Sequence, residues 1–343
     1  MSIKNNCCVR SRRGLLHAGL ATVLLNLGAG IGVRAQSTIE PPQAAVQALH
    51  IISGSAAGST PDTVARRLAD QLRGHYAQRA VVENRPGALG RIAMNSLKVA
   101  PADGSTVWLA SGTIATVNPY VQPMLGYDPG VDLKPVSLVA QMPLALAVGP
   151  AVPDTVTSTR GLMDWMRRNP GSANVGSPGV GSMPHLLEAL LFRQAGVEWQ
   201  HVAFPGGAPT VVALLGGHIA ALILPEAVLS QHRSTGRLRV LATSGPQRTP
   251  LMPDVPSLVE QGFADLVVQE WFAVFMLSTV PDAVVEAASR TIRAAVAQPQ
   301  LAASFTDLGM EVVASTPAEL AARINAEQRI WAPLIRANGI RSE

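Results

Sequence analysis

The chain has 343 residues, with 27 Lys and Arg against 23 Asp and Glu, a formal net charge of +4, and two cysteines. The basic excess is local: five basic residues (Lys4, Arg10, Arg12, Arg13, Arg34) and no acidic ones fall in the first 35 positions, leaving 22 basic against 23 acidic in the rest. A near-neutral body lacks the electrostatic footprint of a nucleic-acid partner. Both cysteines, Cys7 and Cys8, lie in the same early segment, so the remainder is excluded from disulfide scaffolds, cysteine metal sites and thiol nucleophiles.

That segment reads as an export signal. A basic stretch runs into Ser11-Arg12-Arg13-Gly14-Leu15-Leu16, a mildly apolar run extends to Ile31, and Val33-Arg34-Ala35 supplies the small-x-small end, which places cleavage after Ala35. The Ser-Arg-Arg-x-Leu-Leu piece resembles a twin-arginine signal. The rival, a membrane anchor, needs a longer uninterrupted apolar run than this one, which is broken by Gly and Asn. The expected location is therefore the periplasm. Residues 36–47, with Pro41-Pro42 and no periodicity, form a connection.

The first folded unit opens on Leu49-His50-Ile51-Ile52, a short buried strand. It passes through the small-residue loop from Ser53 to Thr60 into a run with Val64, Leu68 and Leu72 on one helical face. Thr60 is the expected N-cap and Pro61 suits a first turn. Free amides at such a helix start form an anion cradle, although most loops of this composition only turn the chain. Ala80 to Asn84 is a second strand, a helix carries Ile92, Leu97 and Val99, and Thr106 to Ala110 is a third strand ending at Ser111-Gly112-Thr113. This alternation predicts a mostly parallel sheet covered by helices, with any ligand beyond the carboxyl ends of its strands.

Val136 to Ala140 and Leu144 to Val148 are extended apolar runs, and a second α/β unit follows. It comprises a helix around Leu162 to Arg168, a strand at Ala173 to Gly176, the loop Ser177 to Ser182 and a helix from Met183 to Gln194. A strand at Trp199 to Ala203 then leads to the corner Phe204 to Ala208. Leu238 to Thr243 is a buried strand, Val267 to Phe275 a return crossing, and Ala283 to Ala297 a helix. Thr316-Pro317-Ala318-Glu319 is a capping box opening the last helix. Two units of one design suggest two lobes and one cleft: residues 48–142 with 267–343 as one lobe, 143–266 as the other.

Glu83-Asn84-Arg85-Pro86-Gly87, Ala102-Asp103-Gly104, Asn118-Pro119, Tyr127-Asp128-Pro129, Val136-Ser137-Leu138-Val139, Leu214-Leu215-Gly216-Gly217, Leu238 to Ala242, Pro253-Asp254-Val255-Pro256 and Trp271-Phe272 occur in one order. Together they resemble the Bug family, the extracytoplasmic solute-binding proteins of tripartite tricarboxylate transporters, over about His50 to Gly339. The resemblance implies an α/β, two-lobed periplasmic binding protein-like fold of type II that closes over a small organic carboxylate. It implies a monomer without cofactor or metal, served by the transporter's membrane subunits or by a sensor kinase. Carried over by position, the ligand-binding residues are Ser55, Gly58, Ser59, Thr60, Asp62, Ser111, Thr113, Ser177, Gly181, Ser182, His185, Phe204, Pro205, Gly206 and Ala208. Departures at Ser55, Gly58-Ser59 and Pro61, and Leu224 and Ala220 in place of acidic residues, imply a ligand with a more apolar or bulkier body than malate.

Each candidate has a structural alternative. Asp62 equally complements a helix dipole, His185 on composition alone is more often a structural helix-start histidine, and Phe204 is as easily core. Trp271 and Arg85 read as packing and turn-bracing residues. Among the seven histidines there is no short metal-ligand spacing, and no Gly-x-Ser-x-Gly elbow or phosphate loop occurs. The rival to a receptor is an exported α/β enzyme acting on a carboxylated substrate in the same cleft.

Overall fold

The computed structural model describes residues 46–306 and 308–341. The export signal and nearly all of the 36–47 connection lie outside them. The first strand, β1 (Val46–Ser53), begins two residues inside that connection.

Ten strands form one continuous mixed sheet. Besides β1 they are β2 (Ala77–Asn84), β3 (Thr106–Ser111), β4 (Leu133–Val148), β5 (Asn174–Ser177), β6 (Gln200–Ala203), β7 (Ala221–Pro225), β8 (Arg239–Thr243), β9 (Gln269–Leu277) and β10 (Glu311–Val312). Their order is β2-β1-β3-β9-β4-β7-β5-β6, with β8 and β10 also paired to β4. Parallel pairing is confined to the two flanks, β2-β1-β3 and β7-β5-β6. The centre is antiparallel, because β9 returns alongside both β3 and β4 and β4 also pairs with β7 and β8. The runs at Val136 and Leu144 are one 16-residue strand, β4, whose first half pairs with β9 and β10 and whose second half lies between β7 and β8. A single strand thus threads both lobes.

The apolar periodicities find their partners. The helix Thr60–Leu72 buries Val64, Ala65, Leu68, Ala69 and Leu72 against β1, β3 and the helix Asp282–Val296, in a cluster that includes Ile51, Val107, Val274 and Ile292. On the opposite face of the first lobe Trp108, Trp271 and Phe275 pack with Met94 and Leu97. Burying each such side chain contributes about 1.5–3 kcal/mol. The second lobe has its own clusters, around Leu186, Phe192 and Ile223 on one face and Val211, Leu214 and Leu222 on the other.

Two crossings join the lobes, and one side chain ties them. Ser244 Oγ donates to the Val268 carbonyl and accepts the Leu144 amide at 2.8 Å. The terminal helix Pro317–Ala337 also spans the junction: Leu320 packs with Trp271, whereas Trp331, Leu334 and Ile335 pack with the second lobe.

The cap of the first helix falls one residue earlier than Thr60, at Ser59, because Ser59 keeps an extended backbone and Thr60 already begins the helix. The capping box of the last helix forms in full: Glu319 N–H donates to Thr316 Oγ1 at 3.2 Å and Thr316 N–H to Glu319 Oε2 at 2.8 Å. Thr316→Ala is expected to cost about 1 kcal/mol, seen as a lower urea midpoint at unchanged slope. An unchanged midpoint would mean the box adds nothing net.

Candidate functional site

A cavity of about 590 Å³ lies between the lobes. From the first lobe it is lined by Ser55 and Thr60, by Ser111 and Thr113, and by Leu89, Trp108 and Asn118. From the second it is lined by the loop Pro178 to Pro184, which contains Gly181 and Ser182, and by Gly207, Leu224 and Val228. Six of the sequence-derived candidates therefore come together there: Ser55, Thr60, Ser111, Thr113, Gly181 and Ser182.

Each corner is held from behind. Asp62 is 2 % exposed and does not line the cavity. Its carboxylate accepts the Gly58 amide at 2.8 Å, Arg66 Nε at 3.0 Å and Asn84 Nδ2 at 2.8 Å, while Asn84 also donates to the Ser55 carbonyl at 3.1 Å. Burial pushes the Asp62 carboxyl up, but Arg66, the Gly58 amide and Asn84 outweigh it and hold it below the ordinary aspartate value. Asp62 thus clamps the first loop to β2. Gly58, exposed with φ +80°, and Ser59 belong to the clamped turn rather than to the cavity wall. The second corner is set by Gly112, whose N–H donates to the Trp271 carbonyl at 2.9 Å. Beside it Thr113 Oγ1 donates to Ser111 Oγ at 3.2 Å.

The loop after β5 turns at Gly179 and Gly181, both with positive φ. Ser182 caps the helix Met183–Ala195, and its hydroxyl also donates to the Gly179 carbonyl at 2.7 Å. His185 lies behind this loop, where its Nδ1 accepts the Gly181 amide at 3.1 Å, and its ring stacks on His201 with centroids 3.6 Å apart. Burial and the His201 neighbour push His185 down to about 3, and burial pushes His201 down to about 4, so both rings are neutral at pH 7. Phe204 packs beside the Val211 and Leu222 cluster. Pro205 and Ala208 are exposed and Gly206 half-buried; none of these four lines the cavity.

Ser177 and His201 form a pair the sequence separates by 24 residues: Ser177 Oγ lies 2.7 Å from His201 Nε2. Glu188 Oε2 is 4.0 Å from that same Nε2. A nucleophile relay needs serine and carboxylate on opposite ring nitrogens and an accessible hydroxyl. Here both partners crowd one nitrogen and Ser177 is fully buried, so this cluster is a brace behind the loop.

Sequence reading missed several wall residues. Ala88 and Leu89 adopt positive φ, 48° and 52°, without being glycine, and Asn118 Nδ2 holds the Leu89 carbonyl at 3.0 Å. Trp108 is fully buried, and its Nε1–H has no hydrogen-bond partner among the described residues. Glu270, in the return crossing, is the only ionisable residue among the described residues lining the cavity. Burial pushes its carboxyl up to about 7. The visible signal was only an acidic residue inside an apolar strand, at Gln269-Glu270-Trp271.

The chain is 32% identical over 281 residues to "UPF0065 protein in tcbD-tcbE intergenic region" of Pseudomonas sp. (strain P51), covering 81% of this chain and 82% of that one. It is 31% identical over 283 residues to the protein BugT of Bordetella pertussis, covering 82% and 86%. Among solved structures, R. palustris Rpa4515 with adipate superposes with a TM-score of 0.75 at 28% identity, covering 86% of this chain and 98% of that one. Residues 64–340 match the profile of the tripartite tricarboxylate transporter family receptor, and the chain belongs to that family.

Proposed function

We propose that this protein is a periplasmic receptor that captures a small organic carboxylate by closing its two lobes and passes it unchanged to the membrane subunits of a tripartite tricarboxylate transporter. The observation that carries this reading is a cavity lined by hydroxyl-bearing and glycine corners of both lobes, Ser55, Thr60, Ser111 and Thr113 facing Gly181 and Ser182. The adipate in the R. palustris relative supports it. An anion there is held by hydroxyls and backbone amides, with no arginine or lysine among the described residues that line it. Because the ligand touches both lobes, it binds the closed form better and shifts the population towards it. The protein acts as a monomer, without cofactor and without turnover.

Leu89, Ile114, Val121, Leu224 and Val228 give the cavity apolar walls, which suit a longer carbon body than that of malate. A thermal-shift panel of organic acids tests this. Six-carbon acids are expected to raise the melting temperature more than malate, by the equivalent of about 2.7 kcal/mol at a hundredfold excess over Kd, and calorimetry should return the ligand chemically unchanged. A preference for malate would overturn the size reading, and appearance of a product would favour an enzyme.

A further inference from the structure

The cavity wall poses a charge problem. Among the described residues no arginine, lysine or histidine lines it, and the one ionisable residue that does, Glu270, carries the same sign as a carboxylate ligand. Glu270 lies on β9 at the crossing between lobes, opposite Met142 of β4. Its neighbour Trp271 receives the amide of Gly112, between the two hydroxyl residues Ser111 and Thr113. Among the described residues Glu270 has neither an ion-pair nor a hydrogen-bond partner, yet it is only half-buried. A carboxyl crowded by protein with its accessible face on the cleft between the lobes is one whose partner arrives with the ligand.

Resting on the receptor reading above, we propose that Glu270 is a specificity-determining residue: it selects an organic acid that carries one carboxylate and, at its other end, a hydrogen-bond donor such as a hydroxyl or ammonium group. The ligand's carboxylate meets the hydroxyls and amides of the corners, which are donors, and its donor end meets the only carboxylate in the wall. A second carboxylate at that end would face Glu270 with no cation to separate them, so one of the two would have to take up a proton. The burial that pushes Glu270 upwards is relieved by an ammonium, which restores the ionised form, and by a hydroxyl, which donates to it.

A matched six-carbon series separates these cases: hexanoate, 6-hydroxyhexanoate, 6-aminohexanoate and adipate, titrated calorimetrically at pH 7.5 into the wild-type chain and Glu270→Gln. In the wild type the hydroxy and amino acids should bind at least tenfold more tightly than adipate or hexanoate. Glu270→Gln keeps the size and removes the charge, so 6-aminohexanoate should lose at least tenfold while adipate gains. Melting of the unliganded variant no lower than that of the wild type, since glutamine removes the burial cost of the carboxylate, and retained binding of hexanoate establish that its fold and anion corners are intact. Should the variant melt early, Glu270→Asp is expected to preserve the wild-type order. Adipate binding best in the wild type, or an order that Glu270→Gln leaves unaltered, would overturn the assignment of Glu270 while leaving the receptor reading in place. Failure of all four acids, and of the wider panel, to bind either chain would overturn both.

Discussion

Gly112→Ala is expected to abolish ligand binding and to cost about 3 kcal/mol of stability, near the upper end of what overpacking a core costs. A β-carbon at this position would stand 2.2 Å from Cε2 and Cζ2 of Trp271 and 2.6 Å from its Cδ2. The ring has nowhere to go: Trp271 is 1 % exposed, its Nε1–H donates to Glu327 at 2.7 Å, and the Arg323 guanidinium lies over the ring, 5.1 Å from its centroid. The corner must therefore move instead, breaking the 2.9 Å bond from Gly112 N–H to the Trp271 carbonyl and displacing Ser111 and Thr113. Because the backbone at Gly112 is right-handed helical, alanine is acceptable to φ and ψ, and the effect isolates the steric contact. Gly171→Ala is the control: nothing lies within 4 Å of a β-carbon there, so it should be neutral or slightly stabilising. Thermal melts and calorimetry with a six-carbon acid read both. Gly112→Ala within twofold of wild-type affinity would mean that the corner does not hold the ligand.

What the sequence discloses about this corner is its composition and its place after a strand, not its support. The alternation of β-branched runs with period-four helices predicts the two lobes, and the same reading puts the small-residue loops at strand ends, where the cavity later opens. Local chemistry is legible because it depends on residues a few positions apart, as in the capping box at Thr316 and Glu319. The supports are long-range. Asp62 could be read as a dipole partner, but its bonds to Asn84, 22 residues away, and through Asn84 to the Ser55 carbonyl, make it a clamp, and no periodicity encodes that meeting. The same holds for Ser177 with His201 and for the strand order at the centre. There β9 inserts between β3 and β4 because the chain must return from the second lobe, which turns a sheet expected to be mostly parallel into a mixed one. Glu270 is illegible for a related reason: a charged residue in an apolar strand reads as an edge or a surface position until two lobes close around it.

The second large effect concerns the brace behind the second-lobe loop. Glu188→Gln is expected to stabilise the protein above neutral pH and to make its loss of stability in acid steeper. Glu188 is completely buried, and neither carboxyl oxygen has a hydrogen-bond partner among the described residues, so burial raises its pKa well above the ordinary value of 4.5. As pH rises above 4.5 the unfolded chain gives up this proton while the folded chain keeps it, and stability falls until the folded group itself ionises. Glutamine has no proton to keep and so removes this loss. The gain should therefore be absent near pH 4.5 and grow as pH rises towards 7.5. The acid limb has a different origin. His185 and His201, held down at about 3 and about 4, stay neutral in the folded chain while the unfolded chain protonates them near 6.5. Stability is therefore lost as pH falls below 6.5, and more steeply in the variant, where no Glu188 carboxyl offsets the two histidines. Urea denaturation across pH 4.5 to 8.5 distinguishes the two limbs. A parallel offset between variant and wild type at every pH would show that Glu188 is ionised in the folded protein, as the partner of a protonated His201. Ligand affinity at pH 7.5 should not change, because Glu188 does not line the cavity.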